Sequence, residues 1–165
     1  VDLAILFSAL PTESFKTIAR VEQSVFAIMA PGHPLADSEK LSLSQCVEFP
    51  LALHDSSFSV GQHLEAQAHS SRLSLKPVIK SNSFILLQNY IMNSNAVGFE
   101  IEIGLSENDL NGLVKRPLTL NKLNKISVQL IQLRGRTLSV AAAKFAEQIG
   151  AVFMAMSVEN GDVIH

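Results

Sequence analysis

LALHDSSFSVGQHLEAQAHSSRLSLKPVIKSNSFILLQNYIMNSNAVGF, residues 51–99, decides how this chain is read. It opens with Leu51-Ala52-Leu53, a brief apolar strand. Asp55-Ser56-Ser57 then offers side-chain oxygens to the free N–H groups of a helix starting near residue 58. Val60, Leu64 and Ala68 recur at helical spacing and carry that helix, with one apolar face, to about residue 71. The pattern repeats. Pro77-Val78-Ile79 is a second strand and Ser81-Asn82-Ser83 a second cap. Phe84, Leu87 and Ile91 form the apolar face of a second helix, which Asn93-Ser94-Asn95 ends. Val97-Gly98-Phe99 returns to strand. Strand, cap, helix, strand, cap, helix, strand predicts an α/β fold in which crossover helices join a parallel sheet.

Upstream, Ser42-Leu43-Ser44-Gln45 is a capping-box signature, and Pro50 keeps its helix short. Residues 15–30 are β-rich and stop at Pro31-Gly32-His33-Pro34, where two prolines deny a ladder its donors. Residues 1–7, VDLAILF, suit a buried strand that turns out at Ser8-Ala9-Leu10-Pro11. Downstream, residues 104–112 are polar and loop-like, 114–120 extended, and 125–133 (KISVQLIQL) a strand. From Ser139 a helix carries Phe145, Ile149, Val152 or Phe153, and Met156 at helical spacing; it runs to about residue 156 or stops near Gly150. Residues 159–165 are expected to fray.

The 165 residues, 47% apolar and 17% charged, make one globular domain or two small lobes, long enough to bury a core without disulfides. Apolar runs reach four to six residues, far short of a membrane span. Thirteen Lys and Arg against fifteen Asp and Glu leave no excess of cations for phosphates, so the chain alone is a poor DNA binder. Lys115, Arg116, Lys122, Lys125, Arg134 and Arg136 cluster late, but without interleaved aromatics they read as a solvated face or partner surface. The single cysteine, Cys46, fits a reducing compartment and reads as a small buried hydrophobe. No basic region marks a secretory signal, and a start at Val1 rather than Met is expected of a piece of something longer.

At one edge of a parallel sheet, strand C-termini meet helix N-termini, whose N–H groups and dipoles favour anions. His54-Asp55-Ser56-Ser57 and Ser81-Asn82-Ser83 are two such places. Ordinary capping accounts for both as well, and Asp55 subtracts from any anion preference unless it turns outward. No two of the five histidines stand four apart on a helix, and His63 and His69 fall on different faces, so no metal is expected and the histidines read as surface residues. There is no G-x-S-x-G elbow, no Ser-x-x-Lys pair and no glycine-rich phosphate loop. Glu100 and Glu102, two apart, share a strand face and point to solvent. These residues build no catalytic centre, so neither an enzyme nor a cofactor is expected.

Phe26-Ala27-Ile28-Met29-Ala30-Pro31-Gly32-His33-Pro34-Leu35-Ala36 is a strand running into Pro-x-His-Pro-Leu-Ala. Followed by a short helix and Phe49-Pro50, it resembles the effector-binding domain of LysR-type transcriptional regulators. Val1-Asp2-Leu3-Ala4-Ile5, Ser81-Asn82-Ser83 with Asn95-Ala96-Val97-Gly98-Phe99, Gly112-Leu113-Val114 with Pro117-Leu118, and residues 138–145 are similar to that family's segments in the same order. The resemblance covers about residues 1–149.

It implies a type 2 periplasmic-binding-protein-like fold: two α/β lobes crossing near Ala30-Pro31 and near Leu130-Ile131, with a small-molecule effector held between them. Lobe I is then residues 1–30 and 131–165, and lobe II residues 31–130. The family's winged helix-turn-helix, linker helix and first strand-helix-strand are absent, so lobe I is incomplete and DNA is reached only through upstream domains. A cytoplasmic homodimer or higher homo-oligomer is implied, with no membrane contact. Carried over by position, the ligand is lined by Ser8 and Ala9, by His54, Ser56, Ser57 and Phe58, by Asn82, Ser83 and Phe84, and by Phe99 and Glu100. Two departures stand out. Asn93-Ser94-Asn95-Ala96 replaces a Gly-x-Gly-Ile-type turn, and Phe99-Glu100-Ile101-Glu102 lacks the usual proline. Glu100 disfavours an anionic ligand or selects a cationic one. The alternative reading is a solute-binding protein of a transport system.

Overall fold

The computed structural model describes residues 2–7, 13–55, 59–105, 110–119 and 125–159. The chain forms two compact units, one of residues 1–22 with 127–165 and the other of residues 23–126. The dividing points fall on the N-terminal side of Ala30-Pro31 and of Leu130-Ile131.

The larger unit contains β3 (Val25–Met29), β4 (Leu41–Ser42), α1 (Leu43–Cys46), β5 (Leu51–His54), α2 (Ser59–Ser70), β6 (Pro77–Ser81), α3 (Phe84–Met92), β7 (Gly98–Ile101) and β8 (Val114–Thr119). Local chemistry sets the helix ends. The Ser42 hydroxyl accepts the Gln45 N–H at 3.3 Å while the Gln45 side chain accepts the Ser42 N–H at 2.9 Å, completing the capping box of α1. Ser83 caps α3 by accepting the Leu86 N–H at 3.4 Å.

The expected parallel sheet is only partly what forms. β5 pairs with β6, and β4 with β8, in parallel, and a parallel bridge ties Leu51 to Val97. β3, however, lies antiparallel between β7 and β8, with Phe26 opposite Glu100 on one side and Pro117 on the other. Caps and crossover helices specify how β5, β6 and β7 follow one another. They carry nothing about β3 and β8, whose partners are far away in sequence.

Alternate residues bury both faces of these strands. Val25, Ala27, Met29, Leu51, Leu53, Phe99 and Ile101 pack with α1 and α2, while Ile28 and Ala52 pack with Leu87 and Ile91 of α3. Gly98 lets α3 approach: a Cβ there would stand 2.5 Å from Ile91 Cδ1 and 3.3 Å from the Ala52 carbonyl oxygen.

The smaller unit is a sheet in the order β1 (Leu3–Phe7), β9 (Ile126–Leu133), β2 (Phe15–Gln23), covered by α4 (Val140–Glu159). β1 runs antiparallel to β9, from Leu3 opposite Gln132 to Phe7 opposite Val128. Of the two ends offered for the last helix, the longer is correct: α4 passes straight through Gly150. An interior glycine costs about 1 kcal/mol against alanine, and burying Phe153 one turn later contributes about 1.5–3 kcal/mol. Phe145 is a correction. Ala146, Ile149 and Phe153 make the buried side, leaving Phe145 50% exposed. Among the described residues no helix is long and apolar enough to cross a membrane.

Candidate functional site

β5 ends on His54 and β7 carries Glu100, 46 residues later in sequence. Both strands are apolar around these residues, and packing buries the strands with the polar side chains attached. His54 Nε2 meets Glu100 Oε2 at 2.8 Å, with the two side chains 6% and 12% exposed. The other carboxylate oxygen, Oε1, accepts the Ile101 N–H at 3.1 Å. Phe84, the first residue of α3, stacks on the imidazole with centroids 6.1 Å apart and planes 26° apart. A carboxylate, an imidazole and an aromatic face thus meet where two strands and the start of a helix converge.

Glu100 therefore does not point to solvent as its spacing implied. Nor does Glu102 share its strand: it opens a 3-10 turn, residues 102–104, and its Oε2 is buried. Asn82 and Ser83 are exposed beside the group, and the Ser83 hydroxyl serves the α3 cap. Phe99 faces the other way, into the core shared with α2, because neighbours on a strand alternate. Ser8, Ala9, Ser56, Ser57 and Phe58 lie outside the described residues. Gly61, which sequence reading passed over, brings α2 against the end of β5: a Cβ there would stand 3.0 Å from the Asp55 carbonyl oxygen.

His33 and His54 are buried, against the surface reading given to all five histidines. In the Pro-x-His-Pro turn, His33 Nε2 lies 3.1 Å from the Asn95 carbonyl oxygen and Nδ1 accepts the Leu35 N–H at 3.1 Å, an arrangement that requires the neutral ring. Burial holds its pKa below the ordinary histidine value, against a smaller upward pull from the Asn95 carbonyl. Cys46 is buried as expected, and burial pushes its thiol up to about 12. Among the described residues no three His, Cys, Asp or Glu gather closely enough to hold a metal ion. A cavity of about 300 Å³ opens at the far end of α2 from His54, lined by Ser42, Ser44, Gln67, Ser71 and Thr119 among others. None of the residues carried over as ligand contacts lines it.

The family model described as LysR substrate binding domain matches residues 1–154. No curated protein matches. Among solved structures, HinK, a LysR family transcriptional regulator from Pseudomonas aeruginosa, is similar with a TM-score of 0.73 and 19% identity, covering 92% of this chain and 54% of that one. The regulatory domain of Synechocystis CcmR in complex with 2-PG is similar at 0.71 and 16%, covering 92% and 73%. The effector binding domain of QuiR in complex with shikimate is similar at 0.69 and 15%, covering 91% and 72%. At these identities the likeness is one of fold, and the chain spans about half the length of HinK.

Proposed function

The chain belongs to the LysR substrate binding domain family, and from that membership we propose that it is the effector-sensing part of a transcriptional regulator. The convergence of His54, Phe84 and Glu100 beside the α3 cap carries the reading. It gathers four of the residues carried over by resemblance, His54, Ser83, Phe84 and Glu100, at one edge of one unit. A small molecule binds there, with Ser56, Ser57, Phe58 and Asn82 as its remaining contacts, while Phe99, which faces the core, takes no part. Binding favours one conformation of the regulator and is read out by DNA-binding domains upstream. The family membership favours this reading over transport.

The chain acts as a sensor and not as a catalyst: its single cysteine, Cys46, is buried with its thiol held protonated and is a poor nucleophile. It acts in the cytoplasm as a homodimer or higher homo-oligomer. Ile85 at 69% exposure, with Leu86 and Tyr90, offers an apolar face for self-association on α3. Light scattering should give a dimer for the chain and a monomer for Ile85→Glu.

The site is tested by screening a panel of primary metabolites for thermal stabilisation, then titrating the best ligand into Ser57→Ala and Asn82→Ala. Each substitution should weaken binding about tenfold, one hydrogen bond's worth, with little change in the unligated melting temperature. Undiminished binding by both overturns the assignment.

A further inference from the structure

We propose that Glu100, held in place by His54, selects an effector carrying a cationic nitrogen, in the simplest case a primary amine, in preference to a carboxylate. The inference rests on the effector-sensing reading and deepens it.

The Glu100 carboxylate is oriented from two sides. Its Oε2 meets His54 Nε2 at 2.8 Å and its Oε1 accepts the Ile101 N–H at 3.1 Å, so both anchors belong to strand backbone or to a side chain at a strand end. A carboxylate has about four acceptor positions, and these bonds leave two for a ligand donor. Since the side chain is only 12% exposed, water screens it poorly, and a charge beside it is felt strongly.

The surroundings suit a cation as well. The Phe84 ring stacks on His54, and Phe26 lies directly across the ladder from Glu100 on the same sheet face. Aromatic faces attract ammonium groups and give a carboxylate nothing in return. Phe26 already receives one cation, with Lys115 Nζ 5.5 Å from its ring centre.

Beside Phe26, the Lys115 ammonium keeps its charge but is tied to the Leu105 carbonyl oxygen at 3.2 Å, and at the N-terminus of α3 the Ser83 hydroxyl takes one of the free N–H groups, that of Leu86. A ligand carboxylate about 5 Å from Glu100 is repelled and an ammonium is attracted, a difference on the order of 100-fold in affinity even at about twice the screening typical of such sites.

The test is titration calorimetry at pH 8 on the 165-residue chain, with probes matched except in head group: benzylamine against benzoate, and putrescine against succinate. At least one amine should bind tenfold or more tightly than its carboxylate counterpart, and Glu100→Gln, which keeps the shape, should abolish the preference. His54→Gln removes the partner but leaves the charge. It should keep the preference, and it keeps the test alive if Glu100→Gln does not fold. A carboxylate bound as tightly as its amine overturns the ligand class and leaves effector sensing standing, as does a preference that survives Glu100→Gln. Should none of the four probes bind, the proposal also falls, and uncharged metabolites in the same assay tell how far. An uncharged molecule that binds limits the failure to the ligand class, whereas no binding at all takes the effector-sensing reading down with it.

Discussion

The two units bury their sheets differently. In the larger, alternate residues of β3, β5 and β7 pack against α1 and α2 on one face and α3 on the other, so the strands are apolar almost throughout. In the smaller, α4 is the single helix among the described residues, and Ile5 and Phe7 of β1 stay 43% and 39% exposed. Its buried Gln129 is held from both ends of its amide: the exposed Thr17 donates its Oγ1 proton to Gln129 Oε1 at 3.2 Å, and Gln129 Nε2 donates to Ser127 Oγ at 3.4 Å. The larger unit therefore has a core complete within itself, and among its described residues the buried pair of His54 and Glu100 stands out as a feature that packing alone does not require.

The comparison breaks most readily in the core. Ile91→Ala, at a fully buried position, should cost about 2–5 kcal/mol, while Ile5→Ala should stay within about 0.5 kcal/mol. Cys46 provides the readout: buried and with its thiol pushed up to about 12, it should resist a thiol reagent at pH 8 until the larger unit opens. Equal costs for the two substitutions would erase the contrast.

Gly98→Val should cost about 1–3 kcal/mol, because the new side chain meets Ile91 and the Ala52 carbonyl where α3 approaches the sheet. An unchanged denaturation midpoint would mean α3 can shift without loss.

Caps sharpen the comparison by acting alike in both units. Ser42 accepts the Gln45 N–H and Ser139 accepts the Ala142 N–H at 3.2 Å, so Ser42→Ala and Ser139→Ala should each cost about 1 kcal/mol. Hydrogen exchange should place each loss in its own helix; losses spread evenly over both units would contradict a local role.

The smallest effect is with pH. Burial depresses the folded-state pKa of His33, so below the ordinary histidine value the unfolded chain takes up the proton first. Stability of the larger unit should therefore fall as pH drops from about 6.5 towards the folded-state value, and His33→Gln should flatten that slope. Exchange in the smaller unit, which has no histidine among its described residues, should be level over the same window. A slope unchanged by His33→Gln assigns it to another group.

Much of the architecture was legible because its signals are local. The Ser42–Gln45 box and the Ser83 cap each join residues three apart, and both form as read. The motif order from Phe26-Ala27-Ile28 to residues 138–145 pointed to the family that the match over residues 1–154 establishes. Periodicity served less well where several faces competed. Phe145, one position from Ala146, fell on the wrong side of the buried arc, and the periodicity left open whether Gly150 is a stop and whether Val152 or Phe153 is the buried residue beyond it.

The sequence by itself determined the alternation of strands and capped helices, the short α1, the buried Cys46 and the family. Only the tertiary structure decided that β3 lies antiparallel between β7 and β8, that Phe99 turns away from the site, and that Glu100 turns inward to His54. The reason is separation along the chain. A cap is satisfied within one turn of backbone, but a strand's partner and a carboxylate's partner are chosen by which distant surfaces exclude water together.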